Sequence, residues 1–155
     1  MFTYHIVQNP NCVVIDVGAQ IGQYTMFAAR LGSSHVISVE PFYENVLRLH
    51  KAAVLNRLQE RITVLANAVS DRRNEVKRLQ RVEANIGGQS LLENNHRVFP
   101  RMNRTAAATE GGKFGGSSDI YLVETILLDD LVAFLPKEAL AGGARPKAVI
   151  KIDIE

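Results

Sequence analysis

The stretch CVVIDVGAQIG, residues 12–22, decides the fold of this 155-residue chain. Its first part, Cys12–Val17, is apolar and rich in β-branched residues, which is typical of a strand buried on both faces of a parallel sheet. After the glycine loop, Gln23–Leu31 has apolar residues at helical spacing, and Gly32 supplies a stop signal. Strand, glycine loop and helix together predict the first unit of an α/β fold.

The same alternation continues along the first half of the chain. His35–Val39 is a second β-rich run, which ends before Pro41. The apolar residues of Tyr43–Leu58 repeat with a period near that of a helix, and Ile62–Ala66 predicts a third strand. This order predicts a Rossmann-like α/β fold, a right-handed parallel sheet with flanking helices.

The second half is less regular. Sparse apolar residues leave Glu75–Val82 open between strand and helix, and we favour a strand. The stretch Arg97–Ser118, rich in Gly, Ala, Thr and Arg, predicts a surface loop. The other expected elements are a polar turn, a strand, a short helix capped by Asp129 and a last buried strand, at Asn67–Asp71, Ile120–Leu127, Asp129–Leu135 and Ala148–Ile154.

The chain length favours one domain over residues 1–155. A parallel strand is normally followed by a crossover helix that packs back over the sheet. Because the sequence stops at its last predicted strand, we expect the sheet to lack its C-terminal strands in this chain.

Composition favours an ordinary globular protein, with 46% hydrophobic and 22% charged residues and a formal net charge of +2. The basic residues are scattered except for one modest cluster, which we interpret as a solvated face, so no nucleic-acid partner is expected. That cluster comprises Arg72, Arg73, Lys77, Arg78 and Arg81. No stretch is long and apolar enough to cross a bilayer and no signal peptide is recognised, which favours a soluble, cytoplasmic protein.

Metal and disulfide chemistry have little support in the sequence. The one cysteine, Cys12, excludes an internal disulfide, and its place before an apolar run predicts a packing role. The histidines are not spaced as metal ligands, and we predict no metal. They are His5, His35, His50 and His96.

The first chemical signal is the group of Asp16, Gly18 and Gly22 at the junction of strand and helix. Ligands of open α/β sheets bind at the carboxyl ends of the strands, where this loop lies. It departs from the dinucleotide fingerprint, because Asp16 stands where the first glycine would be and the last glycine comes one position late. An acceptor for an ammonium group next to helix amides suits a zwitterionic methionyl group better than a pyrophosphate.

The second signal is Glu40, at the end of the second predicted strand. A carboxylate about 20 residues beyond the glycine loop is placed to bind the hydroxyls of a ribose. The alternative is that Asp16 and Glu40 are ordinary acidic caps at strand ends, which the surrounding strand and helix pattern disfavours. We expect alanine at either position to weaken cofactor binding and to leave the fold intact.

With these motifs the sequence resembles the FkbM family of S-adenosylmethionine-dependent methyltransferases. The resemblance covers nearly the whole chain except the stretch Arg97–Ser118. Five regions carry it in the family's order: VIDVGAQIGQYT, VISVEPFYENVLRL, ANAVSD, NIGGQSL with TILLDDL, and VIKIDIE. The family usually has Asn where Gln20 stands.

The resemblance implies S-adenosylmethionine as cofactor and assigns residues to its parts. The methionyl end would be surrounded by Asp16, Gly18, Gln20, Gly22 and Thr25. It also implies that Glu40 holds the ribose and that Asn67 and Ala68 lie near the adenine. A further family motif, formed by Asn85, Gly87, Gly88 and Ser90, is either a tight turn or a ligand contact.

The residues expected to face the methyl acceptor are Asp153 and Glu155, at the end of the last predicted strand. Asp153 is our candidate for the base that takes a hydroxyl proton during methyl transfer to oxygen. The alternative is a structural carboxylate that orders a loop or a water. By resemblance the acceptor is a hydroxyl of a small molecule or a sugar, and the strand lacks the Asn/Asp-Pro-Pro-aromatic stretch of enzymes that methylate base amino groups.

Two rival functions use the same fold. A nicotinamide-dependent oxidoreductase would share the ribose carboxylate, but the glycine spacing counts against it. A non-catalytic module that binds S-adenosylmethionine without an acceptor site is the other alternative.

Overall fold

Four apolar runs form one parallel sheet, and these are the strands on which the chemistry depends. In the computed structural model they are β1 (Val13–Val17), β2 (His35–Val39), β3 (Ile62–Leu65) and β8 (Ala148–Ile152). The strand order is β3-β2-β1-β8, with every pairing parallel. The structure describes residues 2–81, 89–91, 120–137 and 147–153. The expected parallel α/β sheet with flanking helices is therefore confirmed, with each predicted strand placed to within two residues. The expectation that the last strand is buried is wrong, because β8 lies at the edge of the described sheet and Ile150 and Ile152 are 50% and 55% exposed.

Three α-helices belong to this sheet: α1 (Phe2–Gln8), α2 (Gln23–Arg30) and α3 (Tyr43–Leu55). The sequence did not predict α1, which buries only Ile6 among its residues. Helix α3 ends three residues before the predicted Leu58, because Arg57 adopts a left-handed conformation with φ of 57°. The amide of Leu58 then reaches back to the Ala53 carbonyl over 2.9 Å, a Schellman stop that normally uses glycine.

The buried face of α2 differs from the prediction. The large apolar residues of its periodic pattern, Tyr24 and Phe27, are exposed, whereas Thr25, Ala28 and Ala29 are buried. Small side chains let a helix approach a sheet closely, so the residues that face β1 and β2 are small rather than bulky.

A second, mixed sheet follows in the chain. It contains β4 (Ala68–Val69), β5 (Val76–Arg81), β6 (Gln89–Leu91) and β7 (Ile120–Ile126), in the order β4-β7-β5-β6. The strand prediction for the region 75–82 is confirmed over β5. The expected polar turn at 67–71 is wrong in part, because β4 lies within it and pairs in parallel with β7.

The short helix after β7 is a 3-10 helix at Leu128–Phe134. The residue that caps this helix is not the predicted Asp129. The Leu127 amide donates to Asp130 Oδ2 over 2.9 Å, so the neighbouring carboxylate satisfies the first free donor of the helix.

Strands β1 and β2 are buried on both faces, as their apolar runs predicted. One face packs Val14 and Val36 against the α-helices, with Leu49 of α3 among the contacts. The other face packs against Leu131 of the 3-10 helix and against Ile126 of β7, which joins the second sheet to the first. Cys12 lies in the helix-side core, where burial raises the pKa of its thiol, in agreement with a packing role.

Several predictions lie outside the described residues. They concern the expected loop at 97–118, the motif residues Asn85, Gly87 and Gly88, and Glu155. Among the helices of the described ranges, none combines the length and apolar character that a membrane span requires.

Candidate functional site

The parallel register places the carboxyl ends of three strands side by side. Val17 of β1 pairs with Val39 of β2 on one side and with Ile152 of β8 on the other. The residues at or just after these strand ends therefore meet along one edge of the sheet. Asp16, Glu40 and Asp153 all belong to this edge, which is where open α/β sheets bind ligands.

The glycine loop folds over the tip of β2. The amides of Gly18 and Ala19 both donate to the Val39 carbonyl, over 2.9 and 3.1 Å. The loop turns through left-handed conformations at Gly18, Gln20 and Gly22, with φ of 75°, 54° and 88°. Two of these positions are glycine, which accepts positive φ without strain, whereas Gln20 adopts it at a cost.

Gly22 is required by packing as well as by conformation. A Cβ atom at this position would lie 2.6 Å from Leu49 Cγ in the side chain of α3. Gly22 also stands at the N-terminal cap of α2. The glycine therefore lets the start of α2 pack directly on α3 and fixes the position of the loop.

Glu40 is held by the backbone of the loop and of the next helix. Its Oε2 accepts the Gln20 amide over 2.8 Å, and its Oε1 accepts the Phe42 amide over 3.0 Å. Asn45 Nδ2 approaches Oε1 at 3.4 Å, and Glu40 is only 5% exposed. An ionised carboxylate has about four acceptor positions, so this orientation leaves room for a hydroxyl donor.

Asp16 is fully buried, with 0% exposure. Its Oδ2 accepts the Thr25 hydroxyl over 2.7 Å, and Thr25 Oγ1 lies 2.8 Å from Ser38 Oγ of β2. Its Oδ1 makes no hydrogen bond within the described ranges but lies 3.2 Å from Lys151 Nζ, a contact at ion-pair distance. Thr25 and Ser38 thus orient one oxygen, while Lys151 neutralises the other.

Lys151 is the residue of this site that the sequence analysis missed. Its ammonium donates to the Gly18 carbonyl over 3.2 Å and lies 3.6 Å from Asp153 Oδ2. It also lies 5.0 Å from the centre of the Tyr24 ring, and its side chain is 15% exposed. A lysine within the apolar run of a strand, with its side chain only 15% exposed, requires a partner, which is the signal that could have identified it.

Asp153 lies at the exposed side of the same edge. Its amide donates to the Val17 carbonyl over 3.0 Å, which extends the β1–β8 ladder by one bond. Its side chain is 69% exposed, and its ion pair within the described residues is with the Lys151 ammonium. The carboxylate is therefore accessible to an incoming molecule.

Asn67 and Ala68 follow β3 in the chain, and their contacts are with the second sheet. Asn67 Nδ2 donates to the Glu124 carbonyl over 3.1 Å, and Ala68 packs with Leu79 and Val123. The tip of β3 still reaches the site, because the Glu40 amide donates to the Leu65 carbonyl over 3.0 Å. The loop residues, Thr25 and Glu40 form one connected network, whereas the contacts of Asn67 and Ala68 described above are with the second sheet.

Three members of the basic cluster around β5, Arg72, Arg73 and Lys77, are paired with acids. Arg73 contacts both carboxylate oxygens of Asp130, at 2.6 and 3.0 Å, and this bonding lowers the pKa of Asp130 and raises that of Arg73. Lys77 lies 2.8 Å from Glu75, which lowers the pKa of Glu75.

The donors and acceptors of this edge fit S-adenosylmethionine. Asp16 and the Gly18 carbonyl are acceptors suited to an ammonium, and Glu40 is an acceptor suited to hydroxyls. Over the described ranges, no group of three potential metal-ligating side chains occurs.

Comparisons with known proteins agree with this interpretation. Residues 16–155 match the family described as the methyltransferase FkbM domain. Over 91 residues the chain is 30% identical to protein arginine N-methyltransferase 1 of Schizosaccharomyces pombe, a match that covers 56% of this chain and 26% of the relative. The chain thus spans about a quarter of that protein's length.

Solved structures also show local likeness. The PRMT6–SAH crystal structure matches 43% of this chain and 20% of its own, at 33% identity and a TM-score of 0.39. An O-methyltransferase from Bacillus cereus in complex with SAH matches 41% of this chain and 30% of its own, at 18% identity and a TM-score of 0.39. No acceptor is inferred from these partial matches.

Proposed function

The chain belongs to the FkbM family of S-adenosylmethionine-dependent methyltransferases, and from this premise we propose that it transfers a methyl group to a hydroxyl oxygen of a small molecule or a sugar. The cofactor is S-adenosylmethionine. Bound at the strand tips, it would supply a methyl carbon made electrophilic by a neighbouring sulfonium. The residues of this chain would bind and orient the cofactor, and one of them would accept the proton that the acceptor hydroxyl loses.

One observation carries the proposed binding mode. The Gln20 amide donates to Glu40 Oε2 over 2.8 Å, which joins the glycine loop and the carboxylate of β2 into one rigid unit. A methionyl group at the loop and a ribose at the carboxylate would therefore be held at a fixed separation. Rigid placement of the two ends reduces the entropy that must be lost when the reacting atoms align.

The cofactor-binding residues divide into two groups in this proposal. Gly18, Gln20 and Gly22 shape the loop around the methionyl end, while Asp16 supplies negative charge and Thr25 orients Asp16 from behind. Glu40 binds the ribose hydroxyls. Asn67 and Ala68, beyond the tip of β3, border the adenine.

Asp153 is the proposed base on the acceptor side. Its carboxylate is exposed at the edge where the loop and β8 meet, so an acceptor hydroxyl can approach it. Removing the hydroxyl proton as the oxygen attacks makes that oxygen a better nucleophile, an effect of about 10²–10⁴-fold in comparable enzymes.

We also propose that residues 1–155 fold as one domain. The support is the shared core in which Leu131 and Ile126 pack against β1 and β2. Urea unfolding should then show one transition by both far-ultraviolet circular dichroism and tyrosine fluorescence. Two separated transitions would contradict a single domain.

The function is tested by calorimetry followed by a transfer assay. We expect the chain to bind S-adenosylhomocysteine and not NAD, which separates it from a nicotinamide-dependent oxidoreductase. With hydroxyl compounds and an arginine-containing peptide offered in parallel, S-adenosylmethionine should be consumed with the hydroxyl compounds. Methylation of the peptide instead would overturn the oxygen acceptor, and binding without transfer to any acceptor would identify the non-catalytic module.

The role of Asp153 has its own test. The Asp153→Asn variant should lose about 10²-fold in turnover at saturating S-adenosylmethionine, because its amide cannot take a proton. The exposed Asp71→Asn substitution, in the segment after β4 of the second sheet, is the matched control. Unchanged turnover in Asp153→Asn would leave Asp153 with a structural role only.

A further inference from the structure

The ammonium of Lys151 lies where the proposed function places the ammonium of the cofactor. Lys151 Nζ is 3.2 Å from Asp16 Oδ1 and 3.2 Å from the Gly18 carbonyl oxygen. These are the two acceptors of the methionyl subsite. Both cations are primary ammonium groups, so they make the same demands on the same acceptors.

The two ammonium groups cannot use these acceptors together. Asp16 is completely buried and its other oxygen is taken by Thr25, so the side that Lys151 covers is the remaining approach among the described contacts. Two like charges close together in a partly buried site repel strongly. An incoming ammonium must therefore replace that of Lys151.

A second partner is already close to Lys151. Asp153 Oδ2 lies 3.6 Å from Nζ on the exposed side of the edge, and the aliphatic stem of lysine allows its ammonium to swing. Lys151 could thus leave Asp16 without becoming unpaired. Its charge would move from the loop to the carboxylate proposed to face the acceptor.

We propose that Lys151 is a further residue of the cofactor site, a built-in ammonium that occupies the methionyl ammonium subsite and moves to Asp153 when the cofactor binds. The inference rests on the proposed function. In the absence of cofactor Lys151 neutralises Asp16, and in its presence the cofactor ammonium does so. Lys151 is a positioning residue that does not contact the methyl group, and its pairing with Asp153 in the bound state would favour the ionised form of that carboxylate.

The test compares two probes that differ in the amino-acid part. S-adenosylhomocysteine carries the ammonium, whereas 5′-methylthioadenosine has the nucleoside and thioether without it. In the Lys151→Met variant, affinity for S-adenosylhomocysteine should rise about tenfold because no internal competitor remains, and affinity for 5′-methylthioadenosine should stay the same. The increase in Tm on adding S-adenosylhomocysteine should likewise be larger in the variant.

Two outcomes would overturn the proposal. A loss of affinity for S-adenosylhomocysteine alone would mean that Lys151 holds the carboxylate of the methionyl group. An equal change for both probes would mean a purely structural role. If the unchanged chain bound neither probe, the proposed cofactor site itself would fail, which is a distinct result.

A second variant keeps the test valid if Lys151→Met does not fold. Lys151→Arg retains the charge and can form a bidentate contact with Asp16 that is harder to displace. Affinity for S-adenosylhomocysteine should then fall, with 5′-methylthioadenosine unaffected. Equal or higher affinity for S-adenosylhomocysteine would contradict displacement.

Discussion

Two ion pairs in this molecule show that burial, and not distance, decides what a charge contributes. Arg73 and Asp130 approach to 2.6 Å near the second sheet, with side chains 56% and 25% exposed. Lys151 and Asp16 are farther apart, at 3.2 Å, yet are 15% and 0% exposed. Water screens the shorter pair, whereas the longer pair has lost most of its hydration and each partner depends on the other.

We expect the largest loss of stability from removing Asp16, the fully buried partner of the second pair. Asp16→Ala leaves the Lys151 ammonium without its buried counter-ion and removes the carboxylate that accepts from the Thr25 hydroxyl, so we expect a loss of about 3–5 kcal/mol in the free energy of unfolding. Urea denaturation measures it. This differs from the expectation based on sequence alone, that alanine here would leave the fold intact, because the sequence does not reveal the burial.

Asp16→Asn is the matched variant, since it keeps the shape and one acceptor while removing the charge. It should retain the bond from Thr25 and lose less stability than Asp16→Ala. If both substitutions cost no more than alanine at the exposed Asp71, the buried pair would have no special importance.

Glu40 is expected to give the next largest effect. Glu40→Ala removes the carboxylate that accepts from the Gln20 and Phe42 amides, and loss of the acceptor of the buried Phe42 amide costs about 1–3 kcal/mol. Affinity for S-adenosylhomocysteine should also fall at least tenfold, since the proposed ribose acceptor is gone. Calorimetry and urea denaturation, with the exposed Glu60→Ala as control, would separate the two losses, and unchanged affinity would contradict the ribose assignment.

The surface pair of Arg73 and Asp130 should affect mainly how stability depends on pH. Hydrogen bonding from Arg73 lowers the pKa of Asp130 below its ordinary 3.8 in the folded state. The contribution of the Asp130 carboxylate to the free energy of unfolding is therefore fully present above pH 3.8. It is lost as the pH falls through the lower pKa that Asp130 has in the folded state. In Asp130→Asn this part of the acid sensitivity should vanish in thermal unfolding measured from pH 5 to pH 2, and an unchanged profile would show that the pair contributes nothing.

The smallest expected effect is a gain. Gln20 has φ of 54°, a conformation that asparagine tolerates better than glutamine. Gln20→Asn should stabilise the chain by about 0.5 kcal/mol while keeping the amide that donates to Glu40. The control is Arg57→Gly, which removes the strain of the same left-handed conformation at the end of α3. This substitution should not change cofactor affinity.

The sequence predicted the first sheet well because the evidence is local. The β-branched runs of β1, β2 and β3 and the glycine stop after β1 lie within a few residues of the feature that they define. The positions of Gly18, Gly22 and Glu40 relative to those strands follow from the same short-range pattern. Strand ends and loop residues could therefore be named without knowing any distant contact.

What the sequence could not predict depends on pairing between distant segments. Lys151 meets Asp16 only because β8 inserts beside β1, in a register that no local pattern specifies. The buried face of α2 was misassigned because the large residues Tyr24 and Phe27 dominate its periodic pattern, while the sheet accepts only small ones. The importance of Thr25 as a support for Asp16 likewise follows from packing.

The contact between Gly22 and Leu49 restricts how this loop can change over evolutionary time. Any side chain at position 22 meets two obstacles, a clash 2.6 Å from Leu49 Cγ and a φ of 88° that L-residues rarely adopt. Shrinking Leu49 would remove the first obstacle and leave the second. No one-step mutational route leads away from glycine here, so position 22 should stay glycine in descendants of this chain.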